Sequence, residues 1–382
     1  MRDFAQAADD ALAAAVEGGA APGVAALVVD ANGPIYRGAS GERRPGEAMT
    51  GSSVVQLASM TKLLTTIVAL QLVDEGLIEL GAPAGCYVPG IDRLEVLEGW
   101  EGDRPVLRPP RSPILVRHLL THTAGMPYAV WNADQKRYCE WADVPSVRTG
   151  DPRALAVALV ADPGEAWHYG LATDWLAATA VAVTGEPLGR LLARRILEPL
   201  AMRDTGHSIT PLMRERLAVI HQREPDGRFA PVPPPATDAP TVEEGGGGLY
   251  GTADDYGRLL SALLAGEPLL RADTVASLWT NAIGGLRVPV QRTAMPDRAG
   301  DLAFFPDVPK SFGTGLLILE GDAPTGRPRG SGSWSGFANT HFWIDPANGI
   351  AGVWVSQLAP FLDPANHAAY LRFESAVYGG RQ

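Results

Sequence analysis

The chain has 382 residues, of which 46% are hydrophobic and 20% are charged, and its formal net charge at pH 7 is −11. This composition predicts a folded protein with room for two or three domains or subdomains, and it excludes a disordered chain. The negative charge argues against nucleic acid or an anionic membrane surface as a partner. The longest apolar run without a charge, between Lys62 and Asp74, is too short to span a bilayer.

The N-terminus does not have the pattern of a secretory signal. Acids stand at Asp3, Asp9 and Asp10, where a secretory signal would carry a basic region and an apolar stretch. We therefore expect a cytoplasmic protein. Cys86 and Cys139 form no metal-binding or disulfide pattern, and both are expected to be free thiols.

The hydrophobic pattern predicts strands near both ends of the chain and helices between them. A helix at 3–18 is followed by a hairpin, in which strands at 24–29 and 35–38 flank an Asn32-Gly33 turn. From 77 to 300 we predict helices at 152–161, 171–184, 186–198, 252–265 and 272–281, with long loops at 98–113 and 223–248. Strands return at 315–319, 337–344 and 350–356, before a last helix at 365–378.

This order of elements predicts an α+β fold. One antiparallel sheet would be built from both termini and flanked by helices, with a mainly helical region inserted. We expect a discontinuous sheet domain from 1–76 and 301–382 and a helical domain from 77–300. The active site is expected where the two meet, a common position for a pocket.

The segment from Ser59 to Gly76 has the most pronounced helical pattern in the chain. Its apolar residues recur at helical spacing over a wide face, which predicts a central and largely buried helix that ends at Gly76. Ser59 and Lys62, three positions apart at its start, lie on one face. A serine and an amine within hydrogen-bond reach are typical of a nucleophile and its general base.

Lys62 is one of only three lysines, and arginine supplies almost all the other positive charge. Since lysine can lose its proton in a protein and arginine cannot, a lysine in the most apolar helix indicates a group that transfers protons. Two structural alternatives stay open at this point. Ser59 could cap the helix N-terminus, and Lys62 could extend its amine to water.

His118 and His122 are four positions apart on a predicted helix, a spacing that can hold a metal ion. The zinc-protease version of this motif has Glu after the first histidine, where this chain has Leu119, and no third ligand is apparent in the sequence. We therefore expect no metal, and we interpret His122 as a hydrogen-bonded structural residue.

Three other segments are candidates for parts of a site. Tyr169 stands just before a predicted helix, with His168 beside it as a competing base, although a buried tyrosine is usually a core residue. The glycines at 245–248 lack the P-loop and dinucleotide-binding patterns, so they predict close backbone packing. Residues 332–337 are either an ordinary turn into a strand or a strand start that directs a backbone N–H at an oxyanion.

These motifs occur in an order that is known from one superfamily. In chain order they are Ser59-Met60-Thr61-Lys62, Leu119-Leu120-Thr121-His122-Thr123-Ala124-Gly125, Pro163-Gly164 with Tyr169, the glycines at 245–248 with Leu249-Tyr250, and Trp334-Ser335-Gly336. Over about residues 10–375 the chain resembles the serine β-lactamase/penicillin-binding-protein-like superfamily. It looks most like the class C-like branch and, within it, the family VIII carboxylesterases, with the lovastatin-type acyltransferases as relatives.

The resemblance implies a role for several residues. Ser59 matches the nucleophile of the S-x-x-K motif, and Lys62 matches its base. Tyr169 matches the tyrosine that relays protons between nucleophile, leaving group and water. The backbone N–H groups of Ser59 and Phe337 would form the oxyanion hole. The resemblance implies a small-molecule ester substrate and no metal or cofactor, and it leaves the oligomeric state open.

Two positions depart from the superfamily pattern. Trp334 replaces the lysine of K-T-G, and Leu171 replaces the asparagine of Y-x-N. Tryptophan cannot supply the charge that would bind a substrate carboxylate, so both changes favour neutral esters over anionic β-lactams or peptides. The substrate-binding residues are then expected to be Trp334, Ser335, Gly336, Tyr128 and Leu171.

A cluster of aromatic residues follows the His122 turn. It either walls an apolar acyl or alcohol pocket or packs the helical region, and its members are Tyr128, Trp131, Tyr138 and Trp141.

Taken together, the sequence predicts a serine carboxylesterase that works through an acyl-enzyme on Ser59. The alternatives are an acyltransferase that moves the acyl group to a hydroxyl acceptor, residual β-lactamase or D-amino-acid amidase activity, and an inactive acyl- or penicillin-binding module.

Overall fold

The structure is a computed structural model, and it describes residues 3–149, 151–233, 242–266 and 269–379. Its α-helices are α1 (Asp3–Glu17), α2 (Thr61–Asp74), α3 (Val116–Leu120), α4 (Ala133–Trp141), α5 (Ala172–Thr184), α6 (Leu188–Leu192), α7 (Pro211–Glu215), α8 (Ala253–Ala265), α9 (Ala272–Leu278) and α10 (Pro364–Gly379). A π-helical turn, Ala193–Leu197, continues α6.

The β-strands range from 2 to 12 residues in length. They are β1 (Gly23–Asp30), β2 (Gly33–Arg44), β3 (Glu47–Ala48), β4 (Val55–Gln56), β5 (Val96–Glu101), β6 (Arg104–Arg108), β7 (His221–Arg223), β8 (Phe229–Pro231), β9 (Tyr250–Gly251), β10 (Lys310–Phe312), β11 (Leu317–Leu319), β12 (Gly332–Gly336), β13 (Thr340–Asp345), β14 (Ile350–Val355) and β15 (Leu358–Ala359).

The main sheet joins the two ends of the chain. Its eight strands have the order β10-β11-β12-β13-β14-β1-β2-β3, and every neighbouring pair is antiparallel. The junction is the pairing of β1 with β14, in which Ala25 lies opposite Val355 and Val29 opposite Ala351. This topology confirms the predicted α+β fold with a sheet built from both termini.

Helices cover both faces of this sheet. Along β1, alternate residues such as Val24 and Val28 pack with α1 and α10, while Leu27 and Val29 pack on the other side with α2 and α8. Because side chains alternate between the faces of a strand, a sheet covered on both sides needs apolar residues at nearly every position. This explains why β1 is buried from Gly23 to Val29.

The predicted central helix is α2, and every residue from Thr61 to Leu70 is buried. It packs against α5 and α6 and lies in the largest hydrophobic core. Gly76 follows it with a φ of +72°, a left-handed conformation that glycine adopts without strain. Within the described residues, no helix combines the length and apolar character needed to cross a membrane.

Three sequence predictions about local structure are wrong. The segment 98–113 is not a loop, because β5 and β6 form a hairpin there, with Gly102 at a φ of +61° in its tight turn. The segment 152–161 is not an α-helix but a 3₁₀ turn, after which Leu159 pairs with Val96. Residues 332–336 are the strand β12, and the strand predicted at 337–344 begins only at Thr340. At Leu159 the pairing with a distant segment outweighs the local pattern.

The loop predicted at 223–248 begins at the last residue of β7 and contains β8. Its residues 234–241 lie outside the described residues.

Candidate active site

Ser59 lies in a 3₁₀ turn, Ala58–Met60, that leads directly into α2. Ala58 has a φ of +48°, which is uncommon for a residue with a side chain and is often found next to a functional group. No side chain caps this turn or the start of α2. Ser59 is therefore not a helix cap, and this alternative is excluded.

The side chain of Lys62 is buried, with 3% of its surface exposed, so the amine does not extend to water. Its Nζ lies 3.3 Å from Oγ of Ser59 and donates hydrogen bonds to Oη of Tyr128 at 3.0 Å and to the carbonyl oxygen of Gly246 at 2.6 Å. The structure thus brings the predicted nucleophile and base into contact. It also shows two partners of the lysine that the sequence pattern did not reveal.

Two tyrosine rings flank the amine of Lys62. Nζ lies 5.2 Å from the ring centre of Tyr128 and 5.1 Å from that of Tyr169. The backbone N–H of Tyr128 donates to the carbonyl of Tyr169 at 3.0 Å, which fixes the two residues relative to each other. Burial, with smaller effects from Asp174, Tyr169 and Glu244, raises the pKa of Tyr128 well above its usual 10, so its hydroxyl stays protonated.

Trp334, which the sequence pattern aligns with the lysine of K-T-G, packs against Tyr169. Its indole Nε1 donates to Oη of Tyr169 at 3.4 Å, and the two rings are 4.7 Å apart in an edge-to-face arrangement. An aromatic wall therefore replaces a cation beside Tyr169. Edge-to-face aromatic pairs such as Tyr169 and Trp334 add to the stabilisation that burial alone provides.

The glycines at 245–248 bring a backbone segment against α2 and α5. The N–H of Gly246 donates to Oδ1 of Asp174 at 2.9 Å, and Oγ1 of Thr65 donates to the carbonyl of Gly245 at 2.7 Å. A Cβ on Gly246 would lie 2.6 Å from Oδ2 of Asp174 and 3.0 Å from Nζ of Lys62. The prediction of close backbone packing is confirmed.

The Trp334-Ser335-Gly336 motif forms the end of β12, beside the Ser59 turn. A Cβ on Gly336 would lie 2.2 Å from the carbonyl oxygen of Leu57 and 2.3 Å from Oγ1 of Thr340. Only glycine lets the strand approach the turn this closely. Phe337 follows immediately and lines the same cavity as Ser59.

Ser335 pairs across the sheet with His341, and its Oγ lies 2.6 Å from Nδ1 of this histidine. The imidazole stacks on Tyr370, with ring centres 4.3 Å apart and an angle of 12° between the planes. Burial holds the pKa of His341 well below its usual value, so the ring is neutral.

A cavity of about 490 Å³ opens beside Ser59 and is mainly apolar. Of the described charged residues only Arg298 lines it. The predicted site residues on its wall are Ser59, Tyr128, Trp131, Tyr169, Leu171, Trp334, Ser335 and Phe337. Tyr138 and Trp141 do not line it, and Trp141 is 51% exposed. The aromatic cluster is therefore divided, since only its first two members wall the cavity.

His118 and His122 belong to no cluster of potential metal ligands among the residues that the structure describes. In the described ranges, no three His, Cys, Asp or Glu side chains are grouped so that they could hold a metal ion. His122 is buried, and its Nδ1 has no hydrogen-bond partner among the described residues. The imidazole is instead enclosed by aromatic rings, including those of Tyr169, Phe312 and Trp334. The interpretation of His122 as a hydrogen-bonded structural residue holds for its backbone, whose carbonyl accepts from the N–H of His168 at 2.9 Å, but not for Nδ1. Burial lowers the pKa of the imidazole to about 3.

The structure also gives the positions of His168, of the two cysteines and of a buried acid that the sequence analysis does not single out. His168, the competing base candidate, does not line the cavity. Cys86 and Cys139 are free thiols, as predicted. Asp174 was missed, because nothing in the sequence distinguishes it from an ordinary helix-start acid.

Comparison with known proteins agrees with this geometry. The chain matches the model of the Beta-lactamase family over residues 8–377. Monacolin J acid methylbutanoyltransferase of Aspergillus terreus is 30% identical over 339 residues, which cover 86% of this chain and 82% of the relative. Lovastatin esterase of Penicillium rubens is 29% identical over 369 residues, which cover 90% and 91%. The unliganded structure of simvastatin synthase (LovD) from Aspergillus terreus superposes with a TM-score of 0.85 at 27% identity, and the alignment covers both chains completely.

The fold and the site together define a serine β-lactamase-like enzyme. The match over almost the whole length is decisive for the family, and the chain belongs to the Beta-lactamase family. The resemblance to the serine β-lactamase-like superfamily and to the lovastatin-type acyltransferases is thereby confirmed. The relatives it matches include an acyltransferase and an esterase.

Proposed function

We propose that this protein is a serine hydrolase that cleaves carboxylic esters through an acyl-enzyme on Ser59. The observation that carries the proposal is the 3.3 Å contact between Ser59 Oγ and Lys62 Nζ at the wall of an apolar cavity. A nucleophile next to a buried amine is the arrangement that activates a serine without a metal or cofactor.

In the acylation step, the amine of Lys62 is proposed to take the proton of Ser59 as Oγ attacks the ester carbonyl. The backbone N–H groups of Ser59 and Phe337 are proposed to bind the oxyanion that forms. Loss of one such donor in another serine enzyme reduced the rate by about 10²–10³, so this contribution is large. Tyr169 is proposed to assist Lys62 and to pass the proton to the departing alcohol.

In the second step, water attacks the acyl-enzyme and releases the acid. The cavity around Ser59 supports a neutral substrate, because aromatic and aliphatic side chains form most of its wall. Trp334 and Leu171 stand where charged and amide groups would bind an anionic substrate. A β-lactam carboxylate would lack its cation there, so β-lactamase or D-amino-acid amidase activity is the weaker alternative.

Acyl transfer to a hydroxyl acceptor is the second candidate. It shares the acyl-enzyme and differs only in whether water or an alcohol attacks it. The apolar cavity favours an alcohol, since it can hold an organic acceptor next to the acyl group. The names of the matched relatives, a methylbutanoyltransferase and an esterase, cover both reactions.

The test is burst kinetics on p-nitrophenyl esters from acetate to octanoate, with the wild type beside Ser59→Ala. We expect a burst of about one equivalent that the variant lacks. The chain-length trend reports the size of the acyl pocket. Unchanged turnover in Ser59→Ala would overturn the proposal.

Added alcohols separate the two reactions. If transfer dominates, the second phase accelerates and an ester product accumulates. If hydrolysis dominates, the free acid remains the product. A serine-directed phosphonate that leaves Ser59 unmodified in the wild type would favour the binding-module alternative. Nitrocefin hydrolysis lost in Ser59→Ala would favour the lactam alternative.

A further inference from the structure

Asp174 is a buried carboxylate next to the proposed catalytic lysine, and the mechanism above does not use it. It lies in the first turn of α5 and is 8% exposed. Oδ1 accepts a hydrogen bond from the N–H of Gly246. Oδ2 is fully buried, and no described residue donates a hydrogen bond to it. An unsatisfied carboxylate oxygen in a protein interior is costly, so it needs a physical explanation.

The explanation lies on the opposite side of Gly246. From the point where a Cβ of Gly246 would be, Oδ2 of Asp174 is 2.6 Å away and Nζ of Lys62 is 3.0 Å away. The two groups therefore face each other across a residue that has no side chain to separate them. They do not form a direct ion pair, since Nζ is occupied by Ser59, Tyr128 and the Gly246 carbonyl.

Gly246 connects the two groups through its backbone. Its N–H donates to Asp174 at 2.9 Å, and its carbonyl accepts from Lys62 at 2.6 Å. Asp174 thus holds the peptide segment that supplies a hydrogen-bond acceptor for the lysine. Its position near the N-terminus of α5, a helix of 13 residues, also favours the ionised carboxylate.

We propose that Asp174 is a positioning residue. Its carboxylate is the counter-ion of the ammonium that forms on Lys62 when Ser59 loses its proton. Asp174 also holds the Gly246 carbonyl against that ammonium. This inference rests on the proposed function of Ser59 and Lys62. In the step concerned, a proton moves from Ser59 Oγ to Lys62 Nζ while the Oγ–carbonyl bond forms. Positive charge then develops at Nζ, where a preorganised carboxylate stabilises it most.

The titratable groups around the amine limit the alternatives. Tyr128 and Tyr169 present rings and hydroxyls to Lys62, and His122 is close enough for Lys62 to lower its pKa. Burial raises the pKa of Asp174, and the positive charge of Lys62 and the N–H of Gly246 oppose this rise. Glu244 acts on Tyr128 and so provides a matched carboxylate on the same side of the site.

The test is the pH dependence of Ser59 modification by a p-nitrophenyl phosphonate, followed by mass spectrometry. This readout needs no turnover of an ester. Asp174→Asn keeps an acceptor for the Gly246 N–H and removes the charge. A carboxylate beside an amine favours the ammonium, so its removal should move the acid limb of the profile down by about 1 pH unit or more. The plateau rate should also fall about tenfold or more.

Controls separate this role from a structural one. Glu244→Gln should leave the acid limb in place. Asp174→Ser, a smaller neutral variant, is measured in the same way in case the amide does not fit, and circular dichroism confirms that each variant folds. A plateau that falls without any shift of the limb, or an equal shift in Glu244→Gln, would overturn the inference. A wild type whose Ser59 is not modified at all would instead overturn the proposed function. If neither neutral variant folds, Asp174 is a folding residue and the inference also fails.

Discussion

The amine of Lys62 lies 3.0 Å from the hydroxyl of Tyr128, which is closer than its 3.3 Å contact with Ser59. Tyr169, in contrast, presents its ring to this amine and accepts a hydrogen bond from Trp334 through its hydroxyl. The tyrosine expected only to bind substrate therefore contacts the proposed base directly. Substituting Tyr128 and Tyr169 one at a time therefore tests the role of each hydroxyl separately.

We expect Tyr128→Phe to lower kcat/KM for a p-nitrophenyl ester by roughly tenfold to a hundredfold, because a hydrogen bond to a charged group contributes about 1.5–3 kcal/mol. Tyr169→Phe should lower it at least as much if Tyr169 passes protons. Tyr138→Phe, which removes a hydroxyl away from the cavity, is the control and should keep the wild-type rate. A Tyr128→Phe enzyme with wild-type kcat/KM would show that Lys62 does not depend on this contact.

The glycine segment gives a second prediction with a control one residue away. Gly246→Ala should lower kcat/KM by about 100-fold or more, since its Cβ would displace Asp174 and Lys62 from positions about 3 Å away. For Gly247, the nearest atom to an added Cβ is Oε2 of Glu244 at 3.6 Å, an ordinary contact. Neither glycine has a positive φ. Steady-state kinetics should therefore show a large loss in Gly246→Ala and almost none in Gly247→Ala; equal losses would refute the role of this close approach.

Ser335 and His341 give a third prediction. A neutral imidazole has one N–H, and Nε2 of His341 has no described partner, so placing the proton on Nδ1 avoids an unpaired buried donor. Nδ1–H then donates to Oγ of Ser335, whose own hydroxyl proton is left to bind substrate. We expect Ser335→Ala to lower kcat/KM by about 3- to 10-fold, the range for one hydrogen bond.

A double-mutant cycle tests whether His341 acts through Ser335. His341→Asn, which can place an N–H near Nδ1, should keep most of the activity, and His341→Leu should lose as much as Ser335→Ala. The double variant Ser335→Ala/His341→Leu should lose no more than either single variant. Additive losses would mean that the two residues act independently.

The lowered pKa values of two buried histidines lead to a prediction of how the free energy of unfolding depends on pH. Burial lowers the pKa of His118 and His367 to about 4, from a usual value of 6.5. Between these values the unfolded chain binds protons that the folded protein excludes, so stability is complete above about pH 6.5 and falls as the pH drops toward 4. Each such histidine changes the unfolding free energy by up to about 1.4 kcal/mol per pH unit in this window.

Urea unfolding of His367→Asn at several pH values tests this effect. The variant lacks a titrating ring, and Nδ1 of His367 makes no hydrogen bond with a described residue that the change would break. The slope of unfolding free energy against pH between 6.5 and 4 should therefore be shallower than in the wild type. Parallel slopes would show that His367 titrates normally in the folded protein.

The sequence alone determined the central helix, the pairing of the two termini in one sheet and the candidate pair Ser59 and Lys62. These features depend on local regularities: helical spacing of apolar residues, a turn signal at Asn32-Gly33, and a serine three positions before a rare lysine. The order of the motifs was sufficient for the family. The strand β12 could not be predicted from its sequence, because its glycine-rich composition is also typical of a turn.

Only the tertiary structure decided what surrounds the lysine. Tyr128, Asp174 and Gly246 are 66, 112 and 184 positions from Lys62 in the chain, and no local pattern relates them. The tertiary structure also separates the members of the aromatic cluster, since Trp131 lies on the cavity wall and Trp141 at the surface. Such contacts depend on how α2, α5 and the 245–248 backbone pack together. Packing depends on the shapes of all three segments at once, whereas periodicity depends on one segment at a time.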